Sequence, residues 1–169
     1  MSRASYAIAL GSNQPHHRHG GPGRILLAAL QALEAEDIYI AARAPIIQTP
    51  PIGPSRRTFA NSAALIQTNL HPPELLQCLK RIERDFGRRP GQRWGQRRLD
   101  IDIILWSGGR WNSRRLAIPH ISFRERSFVL DPLSGIAPQW RDPATALTIR
   151  HLLSRLKKPK PVDRHAKPD

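Results

Sequence analysis

The sequence contains little cysteine and no long hydrophobic stretch. A single cysteine, Cys78, excludes an internal disulfide and a zinc site built from cysteines. The first apolar run, residues 6–10, ends at Gly11 and is much shorter than a signal-peptide core or a membrane span. We therefore expect a soluble, cytoplasmic protein that has no membrane partner, with Cys78 as a buried structural thiol.

Acidic residues are also scarce. The chain has 13 Asp and Glu against 27 Lys and Arg, which gives a net charge of +14. Such a charge attracts polyanions, and both nucleotide phosphates and nucleic acid qualify. Part of the excess lies in residues 157–169, where prolines recur and apolar residues are few, so we predict a flexible basic tail after one domain spanning residues 1–156.

Apolar periodicity predicts alternating strands and helices. Strands are expected at residues 6–10, 38–43, 59–68 and 99–106, and helices at residues 22–36 and 72–86. Shorter helices are expected within residues 119–130 and 147–156, and a loop at residues 50–57. The order strand, helix, strand, strand, helix, strand predicts a ferredoxin-like α+β two-layer sandwich, with helices on one face of an antiparallel sheet.

Three histidines, His16, His17 and His19, lie close together after the first strand. Histidines at short spacing can bind a divalent metal. Pro15 and the pair Gly20 and Gly21 bracket this run, and a solvated loop is the alternative interpretation.

Two aspartates lie on the last predicted strand. Because strand side chains alternate between faces, Asp100 and Asp102 share one face while Leu99, Ile101 and Ile103 point to the other. Their Cα atoms should be roughly 7 Å apart, so the carboxylates could hold metals separated by roughly 3.5 to 4 Å, as in two-metal phosphoryl sites. Hard oxygen ligands favour Mg²⁺.

An arginine-rich loop precedes these aspartates. It contains several glycines, Trp94, and the arginines Arg84, Arg88, Arg89, Arg93, Arg97 and Arg98. Carboxylates among so many guanidinium groups suit a site where metal ions and arginines together neutralise a triphosphate. The same pattern is a poor match to a nucleic-acid surface.

The residues Arg93, Gly95, Arg97 and 100–104 closely resemble the signature of the 6-hydroxymethyl-7,8-dihydropterin pyrophosphokinase family. Further similar segments follow in the family's order, and the resemblance spans roughly residues 5–140. They are residues 9–13, 49–54, Phe59 with Asn61, 81–83, 115–120, and Arg126 with Phe128.

This resemblance implies an enzyme of folate biosynthesis that transfers diphosphate from ATP to 6-hydroxymethyl-7,8-dihydropterin and releases AMP. It implies that Asp100 and Asp102 hold two Mg²⁺ ions, with Arg88 and Arg97 as further catalytic residues. The implied nucleotide-binding residues are Glu83, Trp94, Ile103, Arg115, His120 and Arg126. The implied pterin-binding residues are Thr49, Pro50, Ile52, Phe59, Asn61 and Phe128, the two phenylalanines sandwiching the ring. The substrates are then the only expected partners, and the protein is expected to be a monomer.

Two positions depart from the family pattern. Gln96 occupies a place where proline is usual, and Ala117 replaces a polar residue, so we expect retained activity with altered nucleotide affinity.

Other interpretations stay open. Phe128 could be a core residue and Glu83 a solvated helix residue, and the chain could instead be a basic RNA-binding module or a catalytically silent relative.

Overall fold

The computed structural model describes residues 3–50, 57–87 and 98–159. Its strands are β1 (Ala4–Ser12), β2 (Tyr39–Arg43), β3 (Ile47–Thr49), β4 (Phe59–Thr68), β5 (Asp100–Trp106), β6 (Trp111–Asn112) and β7 (Ala117–Ile118). Its helices are α1 (Pro22–Glu34), α2 (Pro72–Asp85), α3 (Ser127–Ile136) and α4 (Ile149–Lys157), with a 3₁₀ turn at Phe123–Glu125.

The main sheet is antiparallel and has the order β2-β4-β1-β5, with β3 also paired to β4. The predicted mixed α/β architecture with an antiparallel sheet is therefore confirmed. Strand β5, which carries Asp100 and Asp102, lies at one edge of this sheet. Its open side faces the short β6–β7 hairpin, since the backbone N–H of His120 donates to the carbonyl of Ile104 at 3.0 Å.

Helices α1 and α2 cover the first face of the sheet. Apolar residues at helical spacing on both helices pack against alternate residues of the strands, among them Tyr6, Ile8 and Ile101. The side chain of Cys78 is buried in this core, as predicted. The first core therefore joins α2 to the strand that carries the two aspartates.

Helices also cover the second face of the sheet, so the prediction of only two layers was wrong. Helices α3 and α4 and the turn residue Phe123 pack on the opposite strand residues, including Ala7, Ala63 and Leu105. These strands alternate between two apolar faces, so one helical layer cannot bury both. The sheet lies between two helical layers.

The last two helices differ slightly from their predicted bounds. Helix α3 begins at Ser127 and continues through Pro132 to Ile136, beyond the predicted end at residue 130. A proline removes one helical hydrogen bond, but packing of Val129, Leu130 and Leu133 in the second core maintains the helix. Helix α4 begins at Ile149 because the Thr148 hydroxyl accepts the backbone N–H of His151 at 3.2 Å.

Several predictions fall outside the described residues. They concern residues 51–56 of the predicted loop, residues 88–97 of the arginine-rich loop, and residues 160–169 of the predicted tail. Among the residues that are described, the helices are too short and too polar for any of them to cross a membrane.

The histidine run forms a turn that is only partly exposed to solvent. His16 is buried, its ring centroid lies 4.4 Å from that of His17, and the ring of His19 stacks on Phe86 with centroids 4.9 Å apart. The backbones of His16 and Gly20 exchange two hydrogen bonds of 2.8 Å, which close the loop into a tight hairpin. The interpretation of this run as a loop is therefore confirmed, but only His17 and Arg18 are exposed to solvent, whereas His16 is buried.

Candidate active site

Strand β5 presents its two aspartates on one side and apolar residues on the other, as the alternation predicts. Leu99, Ile101 and Ile103 are at most 3% exposed, whereas Asp100 and the Asp102 side chain are only partly buried, Asp102 being 40% exposed. In the β1–β5 register, Asp100 lies opposite Gly11 and Asp102 opposite Ala9. Small residues beside the aspartates leave room above the sheet for a ligand.

A row of three residues crosses the sheet at Gly11. Gly11 pairs with Asn61 of β4 on one side and with Asp100 of β5 on the other. A Cβ atom at Gly11 would lie 3.1 Å from Oδ1 of Asn61, closer than ordinary contact. The glycine therefore lets the Asn61 amide lie beside β1, on the same side of the sheet as Asp100.

Glu83 anchors helix α2 to the strand between the two aspartates. Its carboxylate is fully buried, and Oε1 accepts the backbone N–H of Ile101 at 2.8 Å. Both of its oxygens also accept from Nζ of Lys80 at 3.0 Å. Glu83 is thus not a solvated helix residue. This position suits a role in holding β5 in place better than it suits the direct nucleotide contact that the resemblance implies.

His120 lies beside Asp102, with 3.9 Å between His120 Nε2 and Asp102 Oδ2. Its Nδ1 accepts the backbone N–H of Ser122 at 3.2 Å, so the other ring nitrogen is the one that faces the carboxylate. Burial lowers the pKa of His120, Asp102 raises it, and Arg126 lowers it, with a net shift downward. A neutral imidazole that can donate a hydrogen bond from Nε2 is therefore favoured.

A cavity of about 230 Å³ lies along the open edge of β5. It brings together four of the predicted residues, Asp102, Ile103, Arg115 and His120, with Ala117 on the same wall. A second cavity of about 760 Å³ lies between α2 and the loop joining β6 to β7. Both cavities are lined by Leu76, Lys80, Arg115 and Leu116, so they are neighbours.

Three residues predicted to bind pterin, Thr49, Phe59 and Asn61, lie on the β3–β4 side of the site. Asn61 donates from Nδ2 to the Thr49 hydroxyl at 2.7 Å, and Thr49 pairs with Phe59 across β3 and β4. Phe59 is two residues from Asn61 and lies on the same side of β4. Phe128 belongs to α3, which packs on β3 and β4, and the Arg126 guanidinium lies 5.7 Å from the centre of its ring.

Phe128 also contacts the second core, so part of the core interpretation holds for it. Pro50 is exposed at the end of β3. The remaining predicted site residues, Ile52, Arg88, Trp94 and Arg97, together with Gln96, lie outside the described residues.

The sequence analysis singled out neither Lys80, which lines the cavities, nor Gln14. Lys80 lines both cavities while bound to Glu83, and only the spacing of three between the two residues could have indicated the pair. Gln14 lies just after β1 and is buried. Its Nε2 has no hydrogen-bond partner among the residues that are described. A buried polar group without a partner is uncommon, and this one follows the predicted segment 9–13.

The residues present can hold Mg²⁺. Magnesium commonly uses one or two carboxylates and completes its shell with waters and substrate phosphates. Asp100 and Asp102 supply two such carboxylates on one side of β5. No group of three or more metal-binding side chains occurs within residues 3–50, 57–87 and 98–159. The donor set therefore fits a metal shared with a phosphate ligand better than a closed structural metal site.

Paired carboxylates beside cavities lined with Lys80, Arg115 and His120 are typical of proteins that bind metal-complexed phosphates. The family model described as 7,8-dihydro-6-hydroxymethylpterin-pyrophosphokinase (HPPK) matches residues 7–138. The chain therefore belongs to the 7,8-dihydro-6-hydroxymethylpterin-pyrophosphokinase family.

Curated relatives agree with this membership. A 2-amino-4-hydroxy-6-hydroxymethyldihydropteridine pyrophosphokinase from Pseudomonas aeruginosa is 38% identical over 138 residues, which cover 80% of this chain and 82% of the relative. The protein of the same name from Synechocystis sp. is 41% identical over 104 residues, covering 62% of this chain and 53% of the relative.

A solved structure shares the fold. The crystal structure of an HPPK-DHPS in complex with substrates superposes with a TM-score of 0.72 at 13% identity. The match covers 92% of this chain and 45% of that chain, so this protein corresponds to about half of the longer one.

Proposed function

We propose that this protein transfers the terminal diphosphate of ATP to the hydroxymethyl group of 6-hydroxymethyl-7,8-dihydropterin, giving the pterin diphosphate and AMP in folate biosynthesis. Family membership over residues 7–138 supports the reaction. The observation that carries the proposal for this chain is that Asp100 and Asp102 share one side of the edge strand β5, with Asp102 lining a cavity beside Arg115 and His120.

The proposed arrangement places ATP along β5 and the pterin near β3 and β4. Arg115 and a neutral His120 would bind phosphate or ribose oxygens, and Ile103 would contact the adenine. Asn61 and the backbone near Thr49 and Pro50 would bind the polar edge of the pterin, and Phe59 and Phe128 would stack on its ring. Arg88, Arg97, Trp94 and Ile52 keep the roles that the resemblance implies for them.

Asp100 and Asp102 are the residues that would hold two Mg²⁺ ions. When bound, such ions neutralise phosphate charge and lower the pKa of a coordinated alcohol. The chain itself would align the hydroxymethyl oxygen with the β-phosphorus, on the side opposite the leaving AMP. Glu83 would support this alignment by fixing the backbone between the two aspartates.

We also infer that the central sheet is ferredoxin-like, an assignment supported by the strand order β5-β1-β4-β2 and by the positions of α1 and α2. The monomeric state, the cytoplasmic location and the basic tail stay predictions. The family match does not favour the RNA-binding alternative, and a silent relative would bind both substrates without releasing AMP.

An assay of AMP release tests the proposal. Wild type should release AMP from ATP only when Mg²⁺ and hydroxymethyl-dihydropterin are both present. Asp100→Ala and Asp102→Ala should each lower kcat by about a hundredfold or more, because each removes a carboxylate that acts on the phosphates. Asp131→Asn is the control, since this residue pairs with Lys157 on the surface, and it should keep the wild-type rate. Equal rates in all four proteins would refute the role of Asp100 and Asp102.

A further inference from the structure

The loop between β1 and α1 contains a histidine hairpin, residues 16–20, that has no part in the proposed reaction. Two backbone hydrogen bonds between His16 and Gly20 close it, and Gly20 has the positive φ of 82° that favours glycine. His16 is only 8% exposed, and its ring centroid lies 4.4 Å from that of His17 and 4.9 Å from that of His19. The buried imidazole therefore packs against two others in the same turn.

The hydrogen bonding of His16 fixes its neutral form. Nδ1 accepts the backbone N–H of Arg18 at 3.1 Å, so this nitrogen carries no proton and the one ring proton lies on Nε2. Protonation would place a second proton on Nδ1, directed at the N–H group that it now accepts. The hydrogen bond would become a contact between two donors, and the turn would have to open to separate them.

The surroundings of His16 also oppose its protonation. The charged and titratable groups that act on it belong to the hairpin itself and to the chain before β5, and no carboxylate is among them. They are His17, Arg18, His19 and Arg98. From α2 the neighbour is the uncharged ring of Phe86, with centroids 6.2 Å apart. Burial, followed by these charges, lowers the pKa of His16. Neutral His16 is therefore the form that suits the closed hairpin.

The hairpin also contacts the elements that carry the candidate site. The ring of His19 stacks on Phe86 at the end of α2, with centroids 4.9 Å apart. The guanidinium of Arg98 lies against the next residue, Gly87, because a Cβ atom there would be 2.5 Å from Nη1 of Arg98. Arg98 comes two residues before Asp100. Opening of the hairpin would therefore disturb the packing where α2 ends and β5 begins.

We propose that the histidine hairpin is a pH-sensitive clamp, closed on the end of α2 and the chain before β5 when its imidazoles are neutral, and opened when they take up protons. The open hairpin binds protons more readily than the closed one, so closure is favoured above the ordinary histidine pKa of about 6.5 and is weakened as the pH falls below it. At pH 5.5 an imidazole in the open hairpin is protonated about ten times more often than neutral, so opening should become about tenfold easier. The clamp goes beyond the proposed reaction and does not depend on it.

Amide hydrogen exchange of the whole chain, measured by NMR, tests the clamp. Protection factors remove the intrinsic effect of pH on exchange, and they are compared at pH 7.5 and pH 5.5. The informative N–H groups are those of His16, Arg18 and Gly20, which donate within the hairpin. In wild type we expect their protection to fall about tenfold at the lower pH. EDTA is present throughout, so that loss of a bound metal cannot produce the change.

His16→Asn is the test variant, because Oδ1 of asparagine takes the position of Nδ1, accepts the same N–H and does not titrate. Its protection factors should change by less than about twofold between the two pH values. His151→Asn is the matched control, since His151 is exposed on α4, and it should keep the wild-type change. The imidazole signals of wild type give a measurement that does not depend on the variants. His16 should titrate at a lower pH than His151.

Three results would overturn the proposal. The first is constant protection of the wild-type hairpin between pH 7.5 and pH 5.5. The second is titration of His16 at the same pH as His151 or at a higher one. The third is an equal fall in protection in wild type and His16→Asn, which would assign the opening to other groups. Absence of AMP release in the catalytic assay, with the hairpin behaving as expected, would count against the proposed enzymatic function alone.

Discussion

Gly11 lies between Asn61, which is proposed to bind the pterin, and Asp100, which is proposed to bind the metal. Gly11→Ala places a Cβ atom 3.1 Å from Asn61 Oδ1, so the asparagine must shift. We expect KM for the pterin to rise about tenfold, since displacement of a positioning group weakens binding and alignment. Steady-state kinetics with both substrates varied would measure this change.

Gly23→Ala is the matched control for that variant. An added Cβ at Gly23 meets only the end of Ile46, at 4.0 Å, so its kinetics should equal those of wild type. An unchanged KM for the pterin in Gly11→Ala would mean that Asn61 does not bind the pterin from this position.

Glu83 gives a second prediction for a single residue. Glu83→Ala leaves the buried N–H of Ile101 without its acceptor and removes the partner of Lys80. The free energy of unfolding should fall by about 2 to 4 kcal/mol, and Glu83→Gln should lose less because it keeps an acceptor oxygen. Urea denaturation of both variants, beside the exposed control Glu34→Ala, measures the difference. Equal stability of Glu83→Ala and Glu34→Ala would remove the anchoring role.

The sequence predicted the positions of some residues of the site but not of others. The period of a strand was enough to place Asp100 and Asp102 on one side of β5, because that alternation is local. Glu83 and Lys80 are charged residues of the kind usually exposed on a helix. Their positions in the site depend on how α2 packs on β5. A contact between distant segments leaves no local signal in a single sequence.

At the level of elements, the turn before α3 and the loop before α4 are joined through one buried carboxylate. Asp142 is fully buried and accepts from Arg124 Nε at 2.7 Å, from the backbone N–H of Ala144 at 3.0 Å and from the Thr145 hydroxyl at 2.7 Å. Burial alone would raise the pKa of Asp142, but these hydrogen bonds and the charge of Arg124 together lower it.

This carboxylate predicts a pH dependence of stability. Because the folded-state pKa lies below the unfolded one, the ionised carboxylate stabilises the fold above about pH 4, and the contribution is lost as the pH falls through the folded-state pKa. Asp142→Asn should be less stable than wild type by about 2 to 4 kcal/mol at pH 7, and the gap should narrow toward pH 3. Urea denaturation across this range measures the gap, and a constant gap would contradict the prediction.

Helix α3 contains a glycine that offers a stability test of the second helical layer. A Cβ atom at Gly135 would meet nothing within 4 Å. Gly135→Ala should therefore raise the free energy of unfolding by about 0.5 to 1 kcal/mol, since alanine loses less backbone entropy in a helix. Thermal and urea denaturation would measure this gain, whereas a loss of stability would show that the helix is not formed at this position.

The four longer strands and the four helices were predictable, but the short strands β3, β6 and β7 and the layering of the helices were not. Helices α1 and α2 have clear amphipathic spacing, and the strands between them have the expected period. Both helices of the second layer were predicted, but the face of the sheet that they cover was not. Their packing on Ala63 and Leu105 joins segments that are distant in the sequence, and it leaves no local pattern.

At the scale of the whole molecule, positive charge accumulates around both cavities, where Arg115 and Lys80 are shared. The sequence predicted a preference for polyanions from composition alone. It could not place that charge, since the position of the cavities depends on how α2 packs beside the β6–β7 loop.

The identity of the products tests the central claim most directly. Purified protein, ATP, Mg²⁺ and hydroxymethyl-dihydropterin are incubated, and the nucleotide and pterin products are separated and quantified. The account predicts AMP and pterin diphosphate in equal amounts from wild type, and neither from a variant that carries both Asp100→Ala and Asp102→Ala. Formation of ADP with a pterin monophosphate, or undiminished AMP release by the double variant, would contradict it.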